Sequence, residues 1–151
     1  MKPPETIETL RLTLRRLATT DAESVFSTYA QDVEVTRFLV WRPHGRIEET
    51  REFIQNKIEA WANETEFTWA IFQKGGDLIG GIALRKQGFK VDFGYVLARQ
   101  QWGHGFAAEA LQPLVDWALS QPEVFRAWAV CDVGNLASAR VLEKVGMACE
   151  G

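Results

Sequence analysis

The chain has 151 residues, 46% hydrophobic and 25% charged, with a formal charge of -3. This excludes a disordered or fibrous polymer and suits one domain, residues 1–151, around one core. The lack of a polybasic block argues against direct nucleic-acid binding. No apolar run is long enough for a bilayer, and Met1-Lys2-Pro3-Pro4-Glu5-Thr6 has no signal-peptide core, so a cytoplasmic protein without membrane contact is expected.

Residues 7–15 alternate Leu10, Leu12 and Leu14 with Arg11, Thr13 and Arg15, the period of a half-buried strand. Thr20-Asp21 opens a helix to about residue 29, with Thr19 or Thr20 as its cap. Residues 32–45 read as a turn or short helix, then a loop through Trp41, Arg42 and His44. Residues 47–61 form an amphipathic helix with Ile47, Ile58 and Trp61 near one face. Strands at 67–72, 78–84 and 89–97 follow as a meander, and Gly80-Gly81 marks a bend or bulge. Residues 106–119 form a helix that Pro113 should kink or restart. A strand at 125–130, a loop and a helix at 136–145 follow, the helix stopped by Gly146. Residues 147–150 read as the start of another strand. The pattern is α+β and mostly antiparallel, with one strand–helix–strand unit near its end.

Chemistry concentrates after Tyr95-Val96-Leu97. Gly103 and Gly105 allow close backbone approach, and the next helix starts with free amides and a positive dipole. Such an element cradles a phosphate, or it is only a turn. It is neither a Walker loop nor a dinucleotide fingerprint. Cys131 and Cys149 are too few and too far apart for a thiolate metal cluster, and His44 and His104 lack ligand spacing, so no metal is expected. Asn135 is placed to cap the helix that follows it.

Gln100-Gln101-Trp102-Gly103-His104-Gly105 resembles the acyl-CoA loop of the GCN5-related N-acetyltransferase (GNAT) superfamily. Gly94-Tyr95-Val96-Leu97, the stretch from Trp102 through Ala110, Asn135-Leu136-Ala137-Ser138-Ala139-Arg140 and the opening Glu8-Thr9-Leu10-Arg11 resemble its ribosomal-protein-alanine acetyltransferase (RimJ/RimL-like) branch. The resemblance implies a mostly antiparallel central sheet flanked by helices. It implies acetyl transfer from acetyl-CoA, the cosubstrate, to a primary amine by direct attack. The acceptor it suggests is a protein N-terminal amine. The alternatives are a small amine (amino acid, polyamine or aminoglycoside) or a catalytically weak CoA-binding regulatory protein.

The resemblance also implies site residues. Loop and helix-start amides from Gln100 through Gln101, Trp102, Gly103, His104, Gly105, Phe106 and Ala107 would hold the pyrophosphate. The pantetheine arm would lie where the strand ending at Leu97 splays from the next one, bonding backbone at Leu97 and Arg99 and the amide of Asn135. Ser138 would sit near the CoA sulfur. Leu142 stands where many members carry a tyrosine, which raises Ser138 as the group assisting thiolate departure. Glu109 and Tyr95 are further catalytic candidates, the latter to orient substrate or water or simply as core. Asp92 and Glu150 are carboxylates near the expected cleft, and Trp41, Arg42 and His44 fall on the acceptor side. The family's final strand would be absent here, leaving a shortened chain, a partner that covers the edge as a homodimer, or altered packing.

Overall fold

The first alternating stretch folds as a hairpin rather than one strand. In the computed structural model, which describes residues 1–39, 41–132 and 134–150, β1 (Thr6–Glu8) pairs antiparallel with β2 (Leu12–Arg16). Thr9 closes the turn: its N–H donates to the Leu12 carbonyl at 2.9 Å, and the Leu12 N–H donates to Thr9 Oγ1 at 3.0 Å. Leu10 lies at the tip, 88% exposed, so the two-residue period simply continued through a turn that buries nothing.

Residues 19–30 are one helical run: a 3-10 turn, α1 (Ala22–Val25) and a π turn. Neither Thr19 nor Thr20 caps it. Asp21 reaches back instead, accepting the Ala18 N–H at 2.8 Å while Arg15 grips the same carboxylate at 2.7 and 3.0 Å. The short α2 (Val33–Thr36) is capped by Asp32, and α3 (Ile47–Ala62) follows the loop.

The remaining strands are β3 (Glu66–Gln73), β4 (Leu78–Gln87), β5 (Lys90–Leu97) and β6 (Arg126–Trp128). The six-stranded sheet runs in chain order, antiparallel except for the parallel β5–β6 pair. On one face Leu12, Leu14, Trp69, Ile71 and Phe93 pack with Ala110, Leu111 and Leu114 of α4 (Phe106–Leu119). On the other, Ala70 and Leu78 pack with Val25, Tyr29 and Ile54. These two layers carry most of the burial that stabilises the fold. The expected restart at Pro113 does not occur, since α4 runs as one element whose buried flank holds it to the sheet.

Two irregularities shape the sheet around the site. Ile71 faces Gly80 and Phe72 faces Leu78, leaving Ile79 as the extra residue of a bulge; the irregularity expected at Gly80-Gly81 falls one residue earlier, and both glycines pair regularly with β3. A Cβ at Gly80 would lie 2.2 Å from the Val96 carbonyl oxygen, so only glycine lets β4 approach the end of β5 this closely. The second is a splay. The strand expected over 125–130 narrows to three residues, paired only with Lys90, Val91 and Asp92. From Phe93 onward β5 has no β6 neighbour. Beyond the splay stands α5 (Leu136–Lys144), closed by Gly146 at φ 93° and a Met147 N–H bond to the Leu142 carbonyl at 3.0 Å. Residues 147–150 form no strand, contrary to expectation, and β6 stays at the sheet edge.

Candidate functional site

A cleft of about 590 Å³ opens where β5 and β6 part. One wall is the end of β5, the glycine loop and the start of α4; α5 and the α2 segment supply the rest. At the loop, Gly103 and Gly105 adopt φ of 80° and 79°, left-handed backbone that a side chain would strain. The first amide of α4 to find a helical partner is that of Glu109, bonded to the Gly105 carbonyl at 3.1 Å. The amides of Phe106, Ala107 and Ala108 therefore stay free at the positive end of the helix, two of them buried residues on the cleft wall. Arg37, Arg140 and Lys144 also line the cleft, against one lining carboxylate, Glu34. None of these three cations has a carboxylate within 4.0 Å among the described residues.

At the other end the cleft meets a small cavity of about 110 Å³, whose lining includes Phe93, Gly94, Tyr95, Cys131, Ser138 and Leu142. Here side chains converge. The Tyr95 hydroxyl lies 2.5 Å from Ser138 Oγ and 3.3 Å from the Ser138 carbonyl oxygen. Asn135 caps α5, its Oδ1 accepting the Ser138 N–H at 3.1 Å. Burial raises the Tyr95 pKa; the bond to Ser138 opposes that shift and the nearby Cys131 adds to it. Cys131 and Cys149 are free and exposed.

Of the residues singled out from sequence, Tyr95, Leu97, Gln101, Trp102, Gly103, Gly105, Phe106, Ala107, Asn135 and Ser138 all line the cleft. The Leu97 carbonyl already accepts the Trp102 Nε1–H at 3.0 Å. Gln100 and His104 are exposed and lie outside the lining. Arg99 turns its guanidinium to Asp32, fastening the loop to the α2 cap.

Glu109 is not brought to the cleft. Its carboxylate accepts Thr9 Oγ1 at 2.6 Å, the Arg11 N–H at 2.8 Å and Arg11 Nε at 2.6 Å. Burial pushes its pKa up, but these bonds and the Arg11 charge together prevail and hold it below the usual value. It latches the β1–β2 turn to α4. Asp92 is paired with Arg85 at 2.7 Å and Glu150 with Arg126, so neither is a free base. Trp41 and His44 pack together at 5.0 Å outside the cleft lining, with His44 Nδ1 2.7 Å from Thr50 Oγ1.

The acetyltransferase (GNAT) domain family matches residues 11–148. The chain belongs to the GNAT acetyltransferases. It is similar to the uncharacterized N-acetyltransferase YoaA of Bacillus subtilis, 32% identical over 149 residues that cover 96% of this chain and 84% of YoaA. Among solved structures it is similar to a GNAT-family acetyltransferase from Bacillus anthracis, 27% identical with TM-score 0.85 over 97% of this chain and 85% of that one. It also shares the fold of RimL, a ribosomal L7/L12 alpha-N-protein acetyltransferase in complex with coenzyme A. That likeness has TM-score 0.88 at 22% identity, over 97% of this chain and 86% of RimL.

Family membership makes the chain an acetyl-CoA-dependent acetyltransferase acting on an amine, as the resemblance implied. The chemistry of this acetyltransferase's cleft fits that cosubstrate: free amides at the start of α4, with Arg37, Arg140 and Lys144 in the same lining, suit phosphates, and the paired hydroxyls of Tyr95 and Ser138 suit a thioester. Sequence reading missed Arg37, Phe38 and Leu39, and also Arg140 and Lys144. The last two carried a signal, cations four residues apart that share one helix face after the Asn135 cap. The residues after α2 carried none, because only the fold brings them across from α5. No described helix is long and apolar enough to cross a membrane.

Proposed function

We propose that this acetyltransferase modifies the α-amine at a protein or peptide N-terminus, as in the ribosomal-protein (RimJ/RimL-like) branch that its motifs resemble. The observation that carries this reading is the charge where the thioester would lie. The described residues lining the small cavity at Tyr95 and Ser138 include no carboxylate, and the main cleft adds only Glu34. A polyamine or aminoglycoside carries several positive charges and gains from acidic walls, which this cleft does not offer. A chain terminus presents one amine, which attacks in its neutral form.

In this reading the amides from Gly103 through Ala107, with Gln101 and Trp102 beside them, hold the pyrophosphate. The edge of β5 that β6 leaves open takes the pantetheine arm, together with backbone at Leu97 and Arg99 and the Asn135 amide; the Leu97 carbonyl, which already accepts the Trp102 indole N–H, has a second lone pair for it. Arg140 and Lys144 face the phosphates. Ser138 donates a hydrogen bond to the departing sulfur, and Glu109 is a positioning residue, not a base. Residues 1–151 form one acetyltransferase domain. We place it in the cytoplasm, where its free exposed cysteines stay reduced.

The test is an acceptor panel with acetyl-CoA: peptides starting with Ser or Ala, their Nα-blocked versions carrying lysine, spermidine and an aminoglycoside. Acetylation of the free α-amine alone, located by fragment mass spectrometry, is expected. Turnover of spermidine or of blocked lysine peptides in preference would overturn the acceptor reading. Saturable CoA binding with no acetylation of any acceptor would favour the binding-protein alternative. The mass of the chain in solution, recorded on the same sample, tells whether a second copy covers the β6 edge.

A further inference from the structure

We propose that Tyr95 supplies the proton for thiolate departure and acts through Ser138, a two-hydroxyl relay across the splay between β5 and α5. This rests on the reading that acetyl-CoA lies in the cleft with its sulfur at Ser138. Three observations carry it. The two oxygens are 2.5 Å apart, at the short end for hydrogen-bonded hydroxyls. Both side chains line the main cleft and the small cavity alike, at their junction. Among the described residues lining either cavity, Tyr95 and Ser138 are the only hydroxyl donors. Leu142, on the same helix as Ser138, has no proton to give.

The chemistry explains why a serine needs a phenol behind it. A serine hydroxyl that gave up its proton alone would be left as an alkoxide, far too basic to match a thiolate. A phenol, ordinarily near 10, is far closer to a thiol near 8.5; burial raises Tyr95 above that ordinary value, so proton movement from phenol to sulfur through Ser138 Oγ is uphill, but far less so than from serine alone. Asn135 Oδ1 holds the Ser138 N–H and fixes the first turn of α5.

The step balances without a further reagent. The neutral amine bonds to the thioester carbonyl carbon, and the carbonyl pair moves to oxygen. As the C=O bond re-forms, the C–S bond breaks and sulfur keeps the pair. Sulfur takes the Ser138 hydroxyl proton, and Ser138 takes the Tyr95 proton. The extra proton on nitrogen leaves to water, and water returns one to the phenolate. The products are the amide and CoA thiol.

The chain has only two tyrosines, and Tyr29 is fully buried with its phenol pushed far above the ordinary range. Phenolate absorbance against pH therefore reads Tyr95. Ser138→Ala should raise its midpoint, because the phenolate loses a donor. In turnover with acetyl-CoA and an Ala-initiated peptide, or spermidine if the peptide is not acetylated, Tyr95→Phe should lower kcat about 10- to 100-fold. KM for acetyl-CoA should stay within about twofold and the melting temperature should hold, as expected for a group acting only in the transition state. The double variant Y95F/S138A should be no slower than the slower single variant, because both cut one relay. Unchanged kcat in Y95F, single effects that multiply, or an unmoved midpoint in S138A would each overturn the relay. The titration needs no acceptor. If the wild-type chain fails to bind CoA, the underlying reading falls. If it binds CoA and Y95F keeps full kcat, only the relay falls.

Discussion

The two ends of the cleft are built from different materials. The mouth at the glycine loop is main chain: left-handed Gly103 and Gly105, then amides left free because a helix begins there. The floor at the splay is side chain: Tyr95, Ser138 and Asn135, brought together from β5 and α5. Main-chain sites tolerate most substitutions and fail at glycines. Side-chain sites fail one atom at a time. Binding and chemistry should therefore separate along the cleft.

The largest effect expected is at the mouth. Gly103→Glu places a carboxylate where anions would rest, at a position whose Cβ meets nothing within 4 Å. The fold should survive at a cost of about 1–2 kcal/mol for the left-handed residue, while calorimetry should find acetyl-CoA affinity at least about 1000-fold weaker, about 4 kcal/mol. Unchanged affinity in a folded variant would break the comparison at once.

Next comes the joint between the two ends. Gly80→Ala drives a methyl against the Val96 carbonyl and should cost about 2–3 kcal/mol in denaturant unfolding, with β5 displaced. A neutral result would mean that β4 does not hold the end of β5 in place.

Glu109→Gln tests the latch behind the mouth. Loss of its charge-assisted bonds should cost about 1.5–2 kcal/mol near pH 7. The folded carboxyl sits below its unfolded value, so its contribution is fully present above about pH 4.3 and fades as pH falls through the lower, folded pKa. The difference between wild type and variant should therefore shrink in acid. A loss of kcat with stability unchanged would contradict a structural role.

The smallest effect is at the rim. Arg140→Ala with Lys144→Ala should weaken acetyl-CoA about fivefold, about 1 kcal/mol, and less at high salt because both are exposed. A salt-independent loss would point to packing instead.

Legibility followed the same division. The mouth was readable because Gly103-His104-Gly105 before an apolar helical pattern encodes backbone shape locally. Most strands were readable from alternation. The Thr9 hairpin was not, since Leu10 kept the pattern going while a threonine hydroxyl closed the turn. Asp21 was expected inside the helix start and instead reaches back to cap it, aided by Arg15 from β2, a partner no local rule supplies. Glu109 looked catalytic by position, yet its partners Thr9 and Arg11 lie about a hundred residues away. At the floor, Tyr95 and Ser138 were both visible as candidates, but their contact was not, because it depends on β6 being short enough to let the sheet open.

The central claim is that this cleft is an acetyl-CoA site. Isothermal titration of the purified chain with acetyl-CoA tests it most directly. Saturable binding at about one per chain is the predicted result. No heat of binding from a chain that circular dichroism shows to be folded would contradict it.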